Sequence, residues 1–326
     1  MHTLSQLQAL LQAELEALSV PEAPADLYQP ISYTLNLGGK RIRPVLVLLS
    51  CELFGGDVNK ALKPAIGIEL FHNFTLLHDD IMDNAPMRRN MQTVHERWNT
   101  NVAILAGDAM FTLSIQQMMQ TEQSLMTDVL KLFTDTALLV CEGQQLDMDY
   151  EKHSVIKIDD YLKMIELKTA VLLACSLKTG AIIARTNSNN CNHIYDFGKN
   201  LGIAFQLQDD LLDVFGDKNK VGKQLGGDII ANKKTYLLLK ALEMANIDQY
   251  DALLVLIQNK NNRIEPWEKV QKVTDLFQQL GIKELAEQEI NKYYQDALNH
   301  LKSLQLDAIY KNVLIEFAGQ LMKREL

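Results

Sequence analysis

Two short strings combine residue types and spacing that can do chemistry. Leu76-Leu77-His78-Asp79-Asp80-Ile81-Met82-Asp83 and Gln206-Leu207-Gln208-Asp209-Asp210-Leu211-Leu212-Asp213 each contain DDxxD within an apolar run. On a helix, residues i and i+4 share a face about 6 Å apart along the axis. Asp79 with Asp83, and Asp209 with Asp213, would therefore stack as carboxylate pairs, with Asp80 and Asp210 one position round. Two like charges 4 Å apart repel by about 4 kcal/mol at an effective dielectric near 20, so such ladders call for a cation. One acidic run is commonly a solvated helix face; two copies in apolar surroundings point to ion binding. Aspartate oxygens suit hard cations, and Mg²⁺ takes only one or two protein carboxylates, leaving its other positions to water and substrate phosphates. Metal bridged to phosphate is the predicted chemistry. Neither string has the DxDxDG pattern of a calcium loop, and Cys and His supply no zinc signature. A di-iron bundle would need two ExxH helices, and Glu69-Leu70-Phe71-His72 is the one such string, which disfavours that reading without closing it. The His78-Asp79 doublet with His72 leaves a metal-dependent phosphohydrolase as a lesser alternative.

Basic residues stand where an anionic substrate would need donors. In Gly38-Gly39-Lys40-Arg41-Ile42-Arg43-Pro44 the glycines allow close backbone approach, Lys40 offers point charge and Arg43 bidentate donors. Arg88-Arg89 follows the first acidic string after a break at Pro86. Lys168-Thr169 lies in an apolar helical run, where an ammonium needs an anion or acidic neighbour unless it snorkels to the surface. Lys223 and Lys233 flank a glycine-rich loop at 222–227, directly after the second string, and such a loop can close over a ligand.

The elements positioning these residues are predicted to be helices. Apolar residues recur at three- and four-residue intervals, as in Leu4, Leu7, Leu11, Leu15 and Leu18, and strand alternation with hairpin turn signals is missing. With 16 Gly and seven Pro in 326 residues, turn formers are too scarce for an all-β fold. Segments around 65–83, 102–119, 125–150, 160–184 and 193–216 are apolar over much of their circumference and predict a central bundle, with ten or more helices in all. No Pro-, Ser- or Gly-rich linker divides the chain, so a single all-α domain over 1–326 is expected. Apolar residues at 47 % exclude disorder, and 32 Lys plus Arg against 41 Asp plus Glu leave a net charge of -9, which disfavours a nucleic-acid partner. Four cysteines without a CxxC read as reduced thiols of a cytoplasmic protein. The acidic amphipathic N-terminus does not read as an export signal, and no apolar run approaches the ~18 residues of a membrane span.

Taken in order, GGKRIRP, ExxH at 69–72, HDDIMD with Arg88-Arg89, GQQLD at 143–147, Lys168-Thr169, FQLQDDLLDVFGD at 205–217 and GKQLGGDIIANKKT at 222–235 resemble the trans-isoprenyl diphosphate synthase (polyprenyl synthetase) family over nearly the whole chain. The resemblance implies an isoprenoid synthase type helical bundle around a deep central cavity, working as a homodimer with Mg²⁺ on isopentenyl diphosphate and an allylic prenyl diphosphate. By the same resemblance Asp79, Asp83, Asp147 and Asp209 would bind a cluster of Mg²⁺ ions on the allylic diphosphate, with Asp80, Asp210 and Asp213 as ligands or supports. Arg88, Lys168, Lys223 and Lys233 would contact that diphosphate, and Lys40, Arg43, His72 and Arg89 would hold isopentenyl diphosphate. Thr169 and Gln206 would lie near the developing allylic cation. Gln144 belongs to the GQQLD string, and Lys323-Arg324 resemble a basic tail able to fold over the site.

Product length should follow the depth of the cavity floor. Thr75 is at i-4 from Asp79, and Phe74 at i-5 lies roughly 7.5 Å back along the axis. One aromatic rather than two at these positions resembles certain geranylgeranyl (C20) synthases, with a farnesyl (C15) product as the alternative. A non-catalytic regulatory subunit is disfavoured by the complete acidic strings. A terpene cyclase would not need the Lys40, Arg43 and Arg89 set.

Overall fold

A computed structural model gives the fold, with residues 1–153, 156–216, 225–257 and 264–323 described. The expected all-α architecture is found. In chain order the helices are α1 (Leu4–Glu16), α2 (Ala25–Asn36), α3 (Ile42–Leu53), α4 (Val58–Met82), α5 (Val94–Arg97), α6 (Thr100–Met118), α7 (Gln123–Lys152), α8 (Ile158–Ile165), α9 (Val171–Ile183) and α10 (Ser188–Phe215). Then come α11 (Gly227–Ile230), α12 (Tyr236–Met244), α13 (Ile247–Ile257), α14 (Pro266–Gln279), α15 (Ile282–Ser303) and α16 (Ala308–Lys323). Starts are set locally. The Thr3 hydroxyl and the Gln6 side chain form a reciprocal capping box on α1, Asp57 and Asn99 cap α4 and α6, and Pro266 opens α14.

Contacts divide the chain into two compact units, Met1–Asp135 with Cys175–Tyr195, and Thr136–Ala174 with Asp196–Leu326. In the first, α4 packs against α3 and α6, burying Val45–Leu49, Ile66, Ile68, Leu70, Phe71 and Met110. In the second, α8, α10, α12, α14 and α15 contribute Tyr161, Ile203, Leu207, Leu237, Phe277 and Ile282 to one cluster. Among the described residues no helix is long and apolar enough to cross a membrane.

Two features depart from simple helical periodicity. The run predicted over 160–184 is interrupted by a π-helical turn, Glu166–Ala170, between α8 and α9. Its backbone is approached closely from two sides: a Cβ on Gly143 of α7 would sit 2.3 Å from the Lys168 backbone nitrogen, and one on Gly202 of α10 would sit 2.6 Å from Ala170 Cα. A two-stranded hairpin, β1 (Met87–Arg88) and β2 (Met91–Gln92), also follows α4. Arg89 and Asn90 at its tip have φ of 52° and 63°, the left-handed pair of a tight two-residue turn built without glycine.

Candidate active site

The first acidic string lies at the C-terminal end of α4. Asp79 and Asp80 are in its last turn, and Asp83 is the C-cap residue, its backbone N–H donating to Asp79 O at 2.8 Å. The C-terminal end of a helix carries partial negative charge, so three carboxylates there are doubly unfavourable until a cation arrives. The hairpin returns one. Arg88 Nε donates to both Asp80 oxygens at 2.8 Å, and its Nη2 lies 2.7 Å from Asp80 Oδ1 and 3.5 Å from Asp79 Oδ2. Burial pushes the Asp80 carboxyl up, and the Arg88 guanidinium opposes that shift. Asp80 is thus committed within the protein, whereas Asp83 is exposed and Asp79 partly so.

A second group of the same unit gathers cations. The Arg43 guanidinium lies 3.1 Å from His72 Nε2. A guanidinium only donates, so Nε2 accepts and the ring proton sits on Nδ1. Burial, reinforced by Arg43, Arg89, Arg88 and Arg41, holds the His72 pKa well below the ordinary imidazole range. Arg89 donates to Gly38 O, and a Cβ on Gly39 would come 2.8 Å from Arg89 Nη2, which is why this position suits glycine. Among the described residues buried Arg43 Nε has no hydrogen-bond partner, and burial lowers the Arg43 pKa to about 10. Lys40 is exposed beside this group in sequence. Arg41 and Glu69, which belong to the GGKRIRP and ExxH strings, form a pair that neither string predicts. Arg41 pairs with buried Glu69 and donates to Leu35 O, while Asn73 Nδ2 donates to Glu69 Oε1 at 2.6 Å. A glutamate in the apolar run IGIELF was the available signal.

The second unit carries the remaining residues. Lys168, in the π turn, donates to Asp147 Oδ2 at 2.6 Å, supplying the acidic neighbour its apolar run demanded. Thr169 Oγ1 donates to Gln206 Oε1 at 3.3 Å, and Gln206 Nε2 donates to Asp210 Oδ1 at 3.1 Å. The hydroxyl of Tyr161, a residue not singled out from sequence, donates to Asp210 Oδ2. Asp210 is 4 % exposed, and burial, aided by Asp228, pushes its carboxyl up to about 7. Asp209, Asp210 and Asp213 again lie in the last two turns of a long helix. Asp213 Oδ2 accepts from the Asp228 backbone N–H at 3.0 Å, so this aspartate anchors the start of α11. Lys233 Nζ is 4.0 Å from Asp228 Oδ1. Its neighbour Lys234 donates to the carbonyls of Tyr150, Glu151 and His153 around the end of α7. Gln144 lies on α7 and exposed Lys323 ends α16; Lys223 and Arg324 lie outside the described residues.

At the expected floor Phe74 is not alone. It stacks on Phe111 of α6, with centroids 5.2 Å apart and planes at 17°, and meets Phe71 at 5.6 Å; Phe133 joins through Phe71. Thr75 Oγ1 donates to His72 O at 2.8 Å. The second ring comes from a helix distant in sequence, which motif reading could not foresee.

A family profile described as polyprenyl synthetase matches residues 24–275. The chain is 36 % identical over 282 residues to a geranylgeranyl diphosphate synthase of Sulfolobus acidocaldarius, covering 85 % of this chain and 84 % of that one. The crystal structure of a geranylgeranyl pyrophosphate synthase superposes with a TM-score of 0.95 at 43 % identity, covering 99 % of both chains. That of a geranylgeranyl pyrophosphate synthetase from Pyrococcus horikoshii superposes with a TM-score of 0.90 at 33 % identity, covering 98 % of both. The chain belongs to the polyprenyl synthetase family. It is a prenyltransferase, which sets aside the di-iron and phosphohydrolase alternatives.

Polyprenyl synthetases are generally magnesium-dependent, and the donor set here fits that ion. Both DDxxD strings of this polyprenyl synthetase end long helices, where a cation is favoured. Among the described residues no three Asp, Glu, His or Cys side chains converge into a cage of their own. An ion that completes its shell with water and phosphate oxygens does not require one.

Proposed function

We propose that the chain, acting as one domain within a homodimer in the cytoplasm, catalyses magnesium-dependent head-to-tail condensation of isopentenyl diphosphate with allylic diphosphates and releases geranylgeranyl diphosphate. The observation that carries the two-substrate reading is the Arg43–His72–Arg89 group. Among the described residues Arg43 meets a neutral ring, Arg89 meets a carbonyl, and a buried Arg43 N–H is left unmatched. That group suits a second diphosphate apart from the one at the aspartates, a need that neither hydrolysis nor cyclisation has.

Asp79, Asp83, Asp147 and Asp209 would hold the magnesium ions, which supply positive charge to the allylic diphosphate as it leaves. Arg88, Lys168, Lys223 and Lys233 would add fixed positive charge along the same diphosphate, stabilising what grows in the transition state. Lys40, Arg43, His72 and Arg89 would orient isopentenyl diphosphate so that its double bond attacks the cation. Oxygens of Thr169 and Gln206 would face that cation. No protein nucleophile is needed, and the released diphosphate is a suitable base for the proton lost on forming the trans alkene.

The names carried by the relatives support a C20 product. The Phe74–Phe111 stack favours a shorter C15 product as the second reading, because the second ring braces the first against yielding to a growing chain. Incubation with labelled isopentenyl diphosphate, Mg²⁺ and each of the C5, C10 and C15 allylic diphosphates, followed by product sizing, decides between them. All three starters should end at C20; accumulation at C15 would favour the farnesyl alternative, and no elongation from any starter would overturn the assignment.

A further inference from the structure

We propose that Tyr161 is a positioning residue that, through Asp210 and Gln206, fixes which atoms of Gln206 and Thr169 are presented to the developing allylic cation. The proposal rests on the reading of the site as a prenyl-coupling centre and adds a residue to it.

The direction of the chain of hydrogen bonds follows from donor and acceptor chemistry. Asp210 meets two groups, the Tyr161 hydroxyl on Oδ2 and the Gln206 side chain on Oδ1 at 3.1 Å. Both Asp210 oxygens are acceptors in this arrangement, Oδ2 of the phenol O–H and Oδ1 of an amide N–H, so the group that Gln206 turns to Asp210 is its NH₂ end. The amide carbonyl then points the other way, where it accepts from Thr169 Oγ1 at 3.3 Å. A hydroxyl has one hydrogen and two lone pairs. With that hydrogen given to Gln206, Thr169 has only lone pairs left to offer. The π turn therefore presents an electron-rich oxygen, and the Gln206 carbonyl adds a second negative dipole end beside it.

This orientation matters during ionisation. The allylic C–O bond breaks heterolytically, the electron pair departs with the diphosphate, and positive charge spreads over the allyl carbons. Fixed dipoles with their negative ends toward that charge lower the barrier without reorganising, whereas a flipped amide would present N–H groups and raise it. Tyr161 prevents the flip from a distance. It is 2 % exposed, comes from α8, and holds a carboxylate that is itself 4 % exposed. Without its hydroxyl, Asp210 Oδ2 is buried with one partner fewer, and the carboxylate can rotate to release the Gln206 amide.

The test compares wild type, Tyr161→Phe, Gln206→Ala and the double variant in steady-state assays with geranyl diphosphate and isopentenyl diphosphate, with thermal midpoints measured alongside. Tyr161→Phe should lower kcat roughly tenfold or more while KM for both substrates stays within about twofold, because only the charge-developing step loses its oriented dipoles. In the Gln206→Ala background the same change should alter kcat by less than about twofold. Full multiplication of the two losses, a KM rise matching the kcat loss, or unchanged kcat in Tyr161→Phe would each overturn the proposal. If Tyr161→Phe does not fold, Tyr161→Leu takes its place with the same criteria. An inactive wild type would count against the prenyl-coupling reading itself, so the two failures are distinguishable.

Discussion

At the residue scale, His72 shows how the site sets its own protonation. Surrounded by arginines and partly buried, its imidazole stays neutral in the folded protein at pH values where an unfolded histidine takes a proton. The folded pKa lies below the unfolded value of about 6.5, so below that pH the unfolded chain gains a proton that the native state refuses. Stability supplied by this residue is therefore present above about pH 6.5 and declines on acidification, by at most about 1.4 kcal/mol per pH unit. Urea unfolding at pH 7.5 and 5.5 should show a larger acid loss in the wild type than in His72→Gln. Phe74 and Phe111 make a second residue-scale prediction. Phe74→Ala should shift products beyond the wild-type length on reverse-phase analysis, and Phe111→Ala should shift them in the same direction by less, since it removes only the support of the first ring. The helical placement of the motif aspartates and the need of Lys168 for an acidic neighbour were legible because type, spacing and apolar context all pointed one way, although nothing local named Asp147 as that neighbour. Tyr161, Phe111 and the Arg41–Glu69 pair were not, because each acts through a partner from 28 to 49 positions away, and pairing over such distances leaves no local pattern.

At the element scale, the long helices were legible from their 3.6-residue period, and the five buried segments correspond to α4, α6, α7, the α8–α9 run and α10. The π turn was not legible, since a switch from i→i+4 to i→i+5 bonding leaves the apolar pattern almost unchanged over one turn. The hairpin at 87–92 was missed because its strands are two residues long and its left-handed tip uses Arg89-Asn90 rather than Asn-Gly. In the sequence Gly143 is conspicuous only as part of the GQQLD string. Its Cβ-free surface lets α7 meet the backbone of the turn bearing Lys168 and Thr169. Gly143→Ala should therefore cost about 1–3 kcal/mol by overpacking. Because the displaced backbone carries Lys168 and Thr169, the residues proposed to act on the allylic substrate, it should also reduce kcat. Denaturant midpoints and turnover, measured on the same preparation, check both effects.

At the scale of the whole molecule, folding alone leaves carboxylates crowded at two helix ends and guanidiniums gathered around a neutral ring. Ligands that resolve both should stabilise the chain as a whole. Mg²⁺ with a non-hydrolysable allylic diphosphate analogue at about one hundred times its Kd should add about 2.7 kcal/mol, seen as a thermal midpoint several degrees higher. EDTA should abolish the increment, and the analogue without metal should recover only part of it.

The groups that an anion would meet at Arg43 and Arg89 are guanidiniums, which recognise charge and not the hydrocarbon attached to it. Every condensation liberates inorganic pyrophosphate, a by-product with the same headgroup chemistry as isopentenyl diphosphate. With isopentenyl diphosphate held at Arg43 and Arg89 as proposed, pyrophosphate should act as a competitive inhibitor against that substrate, and adding a pyrophosphatase should straighten progress curves that otherwise bend. Throughput in a cell would then depend on how quickly this waste anion is cleared as well as on the supply of five-carbon units.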